Sequence, residues 1–253
     1  MQHKIYGLIG YPLKHSFSQS YFEQKFAAEG IEDAVYRNFP MEYIDELTVL
    51  MDKEPNLRGL NVTLPYKEKV LWFMTKISPI AKAVGAANVV KFEENERGVW
   101  CPTAYNTDVV GFEKSFLKHK TEHLQSALIL GTGGSAKAVA YVLKQLGIAY
   151  QFVSRRPQKD MLSYENLDRK TIENNLLIIN TTPLGMFPKV EACPPIDYAA
   201  VGKEHFLFDL IYNPAETLFM QKGKQQGASV QNGYEMLCFQ AEESWRIWNE
   251  KER

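Results

Sequence analysis

Ser126-Ala-Leu-Ile-Leu-Gly-Thr-Gly-Gly-Ser-Ala-Lys-Ala-Val-Ala-Tyr-Val-Leu-Lys-Gln-Leu-Gly147 is the stretch from which the fold is read. It opens with a short apolar run of the kind a parallel sheet buries on both faces. After Ala136 the apolar residues recur at helical spacing, and Gly147 stops the pattern. The joint, Gly131 to Ala136, is a glycine-rich passage from strand to helix. Gly131 permits a tight turn, and Gly133 lets backbone approach a pyrophosphate. Ala136 stands where a third glycine is usual, yet is small enough for helix to pack on strand. Thr132, Gly134 and Ser135 complete the loop. Phosphates lying there would meet unpaired amides and the positive end of a helix dipole. The competing reading is a tight strand-helix turn that binds nothing; the βα context favours a dinucleotide.

Downstream, a second strand ends at Phe152-Val-Ser-Arg-Arg-Pro157, about twenty residues on, where an acidic residue would hold the ribose diol of NAD. Ser154, Arg155 and Arg156 stand there instead. A guanidinium can take a 2′-phosphate in bidentate fashion or stack on adenine, so the pair predicts NADP; otherwise these are two solvated arginines. Further strands are expected over 176–179 and 205–210, and a closing helix over 236–248. Upstream, strands are expected over 5–9, 34–39, 57–62 and 87–92, with helices over 18–28, 43–51 and 108–117. The polar turn 93–98 leads back into Val99 and Trp100 as a hairpin. The fold class is therefore α/β, in two halves.

Length and composition bound the function. With 253 residues, 45% of them hydrophobic, the chain can bury the core of one large or two modest domains. A net charge of −1 gives no field to hold duplex nucleic acid, so a small-molecule partner is expected and nucleic acid is not. Cys101, Cys193 and Cys238 are widely spaced, which indicates a reducing compartment rather than a disulfide framework or thiolate metal site. His119 and His123 have i, i+4 spacing but sit in a polar connector without an accompanying acid or cysteine motif, so no metal is predicted. Glycine and Pro12 interrupt the N-terminal apolar stretch, which reads as a strand rather than a signal peptide. Eighteen consecutive apolar residues occur nowhere, so no membrane helix and a cytoplasmic protein are expected.

Polar residues gather at the ends of the early strands. Gly10-Tyr-Pro-Leu-Lys-His-Ser-Phe-Ser18 precedes a helix, so Ser16 and Ser18 could present hydroxyls to a carboxylate, or Ser18 could simply cap the helix. Gly59-Leu-Asn-Val-Thr-Leu-Pro-Tyr-Lys67 puts Asn61, Thr63 and Lys67 at the carboxyl end of a strand, where open α/β sheets bind ligands. Gly85-Ala-Ala-Asn88 and Tyr105-Asn-Thr-Asp-Val-Val-Gly-Phe112 add Asn88 and Asp108. Taken singly, each residue reads more readily as a cap or surface group.

Taken together and in order, these segments resemble the shikimate dehydrogenase family over essentially the whole chain. The matching pieces are H-S-x-S from His15, N-V-T-L-P-Y-K from Asn61, G-A-A-N from Gly85 and N-T-D-x-x-G-F from Asn106. G-T-G-G-S-A-K-A from Gly131, S-R-R from Ser154, N-T-T-P-L-G-M from Asn180, Y-N-P from Tyr212 and N-G-x-x-M-L-x-x-Q from Asn232 follow. The resemblance implies a substrate domain, residues 1–106 with 234–253, and an inserted Rossmann NADP-binding domain, residues 107–233, with the C-terminal helices returning to the first. It implies Lys67 and Asp108 as the catalytic pair. Ser16 and Ser18 would hold the substrate carboxylate, with Thr63, Asn88 and Gln240 on its hydroxyls. Asn180, Thr181, Met186, Tyr212 and Gly233 would border the nicotinamide, Tyr212 also touching substrate. The sequence departs from the family at Gln19, where proline is common, and at Ser154, where asparagine is common.

The implied reaction is reversible reduction of 3-dehydroshikimate to shikimate with NADPH, two domains closing over the substrate, in a monomer or homodimer. Hydride delivered to a carbonyl carbon builds negative charge on oxygen, which a proton or a fixed cation must meet. Lys67 can supply either. Two rival readings are a quinate or quinate/shikimate dehydrogenase using NAD, and a non-catalytic dinucleotide sensor. Ser18 and the two arginines lean away from the first; Lys67 together with Asp108 leans away from the second.

Overall fold

Strand β1 (Lys4–Gly10) turns alternate side chains to opposite faces: Ile5 and Ile9 to one core, Tyr6 and Leu8 to another. The structure, a computed structural model, describes residues 3–13, 17–94, 96, 98–119 and 122–250. After β1 come α1 (Phe17–Glu29), β2 (Ala34–Pro40), α2 (Glu46–Lys53), β3 (Leu57–Val62), β4 (Lys76–Ile77), α3 (Pro79–Val84), β5 (Val89–Glu94) and β6 (Trp100–Tyr105). Then follow α4 (Asp108–Phe116), β7 (Ser126–Leu130), α5 (Gly134–Gln145), β8 (Ala149–Ser154), β9 (Leu162–Ser163), α6 (Arg169–Asn174), β10 (Leu177–Asn180), β11 (Phe206–Asp209), α7 (Leu218–Gln225), β12 (Ser229–Gln231) and α8 (Tyr234–Asn249). Among the described residues no helix is long and apolar enough to cross a membrane.

The chain divides into two units, Met1–Thr107 with Ala241–Arg253, and Asp108–Gln240. The first is built on a mixed sheet in the order β2-β1-β3-β5-β6-β4, with β1 parallel to β2 and β3, and β5 antiparallel to β3 and β6. One face of this sheet is filled by Ile9, Leu47, Leu60 and Val90. The other carries Phe22 and Phe26 of α1 against Ile247 and Trp248 of α8. The second unit is built on six parallel strands in the order β12-β11-β10-β7-β8-β9. Counted from β7 this is the doubly wound order of dinucleotide-binding domains. β10 and β11 are buried along their whole length, as strands covered on both faces must be.

Some local expectations change. The helix expected from Tyr43 begins at Glu46, because the Glu46 carboxylate accepts the Tyr43 N–H at 2.8 Å and holds residues 43–45 as a turn. The second unit ends inside α8, at Gln240. Met236 and Gln240 lie against Gly111 of α4, whereas Ala241, Ile247 and Trp248 join the core of the first unit. His119 is not solvated with its neighbours; its ring packs on Phe206 at 4.9 Å, while His123 is exposed.

Candidate active site

In the first unit, β1 is followed by β2 on one side of it and β3 lies on the other. The loops after β1 and β3 therefore diverge, and such a divergence at the carboxyl ends of strands is where open α/β sheets take ligands. β5 runs against β3 with Asn61 opposite Val89, so Asn88 comes up at that same end. β6 runs against β5 with Val89 opposite Tyr105, so Asn106 and Thr107 emerge there too. Topology alone thus gathers Ser18, Thr63, Lys67 and Asn88 at one end of one sheet. Ser16 lies outside the described residues.

The side chains beneath this end form one buried chain of hydrogen bonds. Ser18, half-buried in the first turn of α1 and so not its cap, bonds through its side chain to Tyr36. The Tyr36 hydroxyl donates to Asn61 Oδ1 at 2.7 Å, and burial pushes its pKa well above the ordinary range. Asn61 Nδ2 donates to Ser244 Oγ at 3.0 Å, and Ser244 Oγ lies 3.2 Å from Thr107 Oγ1. Asn88 Nδ2 donates to Thr107 Oγ1 at 2.9 Å while its Oδ1 accepts the Thr107 N–H at 2.6 Å. That pair of bonds fixes the Asn88 amide, since a flip would set two donors against each other. Thr63 and Lys67 are half-buried; their backbones are tied to Ile9 and Ala87, respectively. Sequence reasoning missed Tyr36 and Ser244, which stand in an ordinary strand and an amphipathic helix, and it quoted Thr107 only as part of a motif.

Asp108, buried, is the first residue of α4 and the first of the second unit. One turn on, a Cβ at Gly111 would come within 2.6 Å of the Met236 carbonyl and 3.0 Å of Gln240 Cβ. α4 and the start of α8 thus cross closely enough to bring Asp108 and buried Gln240 onto adjoining helices.

In the second unit the parallel strands send every predicted cofactor loop to one end. Gly131, at φ 113°, makes the turn out of β7, and α5 starts at Gly134 with no side chain capping it. A Cβ at Gly133 would meet nothing within 4 Å, so the backbone at the start of α5 is open to close approach at that position. Thr132 and Ser135 are half-buried and Ala136 is fully packed. Arg155 and Arg156 are exposed after β8 and pair with no carboxylate among the described residues; Ser154 Oγ accepts the Arg156 N–H at 3.1 Å. This donor set fits a 2′-phosphorylated dinucleotide.

The loop after β10 is locked from below. Thr181 Oγ1 donates to the Leu130 carbonyl at 2.7 Å, tying it to the end of β7. Asn180 Oδ1 accepts from Thr182 N at 3.0 Å and Thr182 Oγ1 at 2.7 Å. Asn180 Nδ2 donates to Asp209 Oδ1 at 3.0 Å. Met186 stands 42% exposed at the end of this loop. Tyr212 is half-buried after β11, and Gly233 packs so tightly on the Leu210 carbonyl that a Cβ would sit 2.1 Å from it. Burial raises the Asp209 carboxyl to about 7, against the opposing pull of three hydrogen-bond donors, Thr217, the Ile211 amide and Asn180. Asp209 also went unremarked in the sequence, where only a strand end was expected.

Comparison with known proteins bears on both units. A family model described as the shikimate dehydrogenase substrate binding domain matches residues 8–90. A shikimate dehydrogenase (NADP(+)) of Caldicellulosiruptor saccharolyticus is 36% identical over 266 residues, covering 97% of this chain and 91% of that protein. The crystal structure of shikimate dehydrogenase from Aquifex aeolicus is 32% identical and superposes with a TM-score of 0.86, covering 99% of this chain and 94% of that one. That of shikimate 5-dehydrogenase from Thermus thermophilus, in complex with NADP(H) and shikimate, is 26% identical with a TM-score of 0.83, covering 98% and 94%. Agreement that runs nearly end to end, and includes the loops after β1 and β3, shows that the chain belongs to the shikimate dehydrogenase family.

Proposed function

We propose that this chain catalyses the reversible NADPH-dependent reduction of 3-dehydroshikimate to shikimate, with Lys67 and Asp108 as the catalytic pair. NADPH, when bound, supplies the hydride. Gly131 to Ala136 and the amides of α5 hold its pyrophosphate, Ser154, Arg155 and Arg156 its 2′-phosphate side, and Asn180, Thr181, Met186, Tyr212 and Gly233 border the nicotinamide. Ser16 and Ser18 hold the substrate carboxylate; Thr63, Asn88, Tyr212 and Gln240 orient the ring through its hydroxyls. The Lys67 ammonium meets the charge that builds on the carbonyl oxygen, as proton donor or as fixed cation, and the Asp108 carboxylate orients that ammonium and the reacting oxygen. In the oxidative direction the proton moves from the substrate hydroxyl toward the same pair.

The observation that carries this reading is the gathering of Ser18, Thr63, Lys67 and Asn88 at the carboxyl end of β1 and β3, with Asn88 locked to Thr107 immediately before Asp108. Three free cysteines accord with a reducing cytoplasmic setting. Initial rates with shikimate and quinate, each with NADP and NAD, test the reading. Shikimate with NADP should be fastest. A preference for quinate with NAD would make the chain a quinate dehydrogenase, and absence of turnover with all four pairs would leave a dinucleotide sensor.

A further inference from the structure

Asp209 closes β11 in register with Asn180, which closes β10. It is fully buried, and both its oxygens are used. Oδ1 accepts from Asn180 Nδ2 and from the Ile211 N–H, each at 3.0 Å. Oδ2 accepts from Thr217 Oγ1 at 2.6 Å, and Thr217 in turn caps α7 by accepting the Met220 N–H. The consequences reach two loops. Because Asn180 gives its NH2 to Asp209, its Oδ1 must face Thr182, where it collects both the N–H and the hydroxyl. The Ile211 bond fixes the backbone one residue before Tyr212. The Phe187 N–H donates to the Asn213 carbonyl at 3.1 Å, joining the two loops at their far ends.

We propose that Asp209 is a positioning residue: it sets the Asn180 amide and the Ile211 backbone so that the loops 180–187 and 210–216 keep the one arrangement that receives the nicotinamide half of the cofactor. The inference rests on the proposed function for what those loops border, but the clamp itself rests on hydrogen bonds within the second unit. Its chemistry is that of an acceptor. An asparagine at 209 retains an oxygen for Asn180 and Ile211 and turns an NH2 toward the Thr217 oxygen, whereas alanine removes every acceptor.

Asp209→Asn and Asp209→Ala, compared with the unaltered chain, test it. Hydrogen exchange followed by mass spectrometry should show loops 180–187 and 210–216 exchanging at least tenfold faster in Asp209→Ala, with Asp209→Asn close to the unaltered chain. Calorimetric titration with NADP+ alone should show Kd raised tenfold or more in Asp209→Ala and less than threefold in Asp209→Asn, while KM for shikimate, which the clamp reaches only through Tyr212, rises by a smaller factor than Kd. A residue that served only to hold the fold would lower the melting temperature of Asp209→Ala and leave Kd and the KM values together; that result overturns the proposal. So does unchanged exchange in Asp209→Ala, or equal loss of NADP+ affinity in the two variants. If the unaltered chain fails to bind NADP+, the functional reading falls, and the exchange data alone decide the clamp. Should Asp209→Ala not fold, Thr217→Val removes one of the three donors and should raise Kd by a smaller factor with the same loop signature; no change in either overturns the proposal.

Discussion

Replacing Asp209 by asparagine should change how stability depends on pH, and the size of the change follows from its surroundings. In the folded chain the carboxyl titrates at about 7; a solvated aspartate does so near 3.8. Between these values the unfolded chain has released its proton and the folded chain still holds it. The unfolded state then binds fewer protons, so stability falls as pH rises. The contribution is complete below the unfolded value and is lost once pH passes the folded one. The whole window corresponds to about 4 kcal/mol, and the part between about pH 5 and pH 8 to roughly 2–3 kcal/mol. Asparagine has no such titration. The nearby Tyr198 phenol is pushed far above its ordinary range by burial and stays neutral throughout, so it adds no slope. Urea unfolding by far-UV circular dichroism at several pH values provides the measurement. Trp72, Trp100, Trp245 and Trp248 all lie in the first unit, so tryptophan emission gives an internal control. The variant should gain roughly 2–3 kcal/mol on the unaltered chain from about pH 5 to pH 8. Parallel curves, agreeing within about 0.5 kcal/mol, would refute the buried-acid argument.

Lys67→Ala should lower kcat by roughly 10²–10⁴, the range of a lost acid-base group, with a change in KM for shikimate of less than about tenfold; steady-state rates check it, and equal losses in both would remove Lys67 from the chemistry. Arg155→Ala with Arg156→Ala should raise KM for NADPH by roughly 10–100-fold and leave NADH within about twofold, since only the former has a phosphate for charge-assisted bonds. Comparable losses with both cofactors would count against the 2′-phosphate reading. Gly59→Ala would put a Cβ 2.3–2.5 Å from three atoms of the Trp248 indole, whose Nε1 donates to the buried Val90 carbonyl at 3.0 Å. Displacing the ring should cost about 2–5 kcal/mol in strain and an orphaned acceptor, lowering the melting temperature by ~5 °C or more.

How far the sequence reaches depends on whether a signal is local. The turn 131–136 was readable because glycine, strand and helix follow one another within one βα joint, and the apolar runs of β7, β10 and β11 announce a sheet covered on both faces. Lys67 and Asp108 were singled out only as members of segments that match a family in order. Edges blurred where a bond to another segment overrules the periodic pattern. Ala87 was expected to open β5, but its N–H goes to the Lys67 carbonyl at 2.7 Å, and the strand starts at Val89. β4 and β9, two residues each, have no period to detect. Tyr36, Ser244 and Asp209 stayed hidden for a different reason. Tyr36 and Ser244 work through partners far along the chain, as Asn61 with Ser244 does across 183 positions, and Asp209 through Asn180 on a neighbouring strand as well as through Ile211 and Thr217; the cross-strand pairing has no local imprint.

The return of α8 fixes the order in which a growing polypeptide can finish its parts. Residues 108–240 are one uninterrupted stretch, whereas the earlier part waits for Ser244 to reach Asn61 and for Trp248 to reach Tyr6 and Phe22. On the ribosome, what is begun first is therefore completed last.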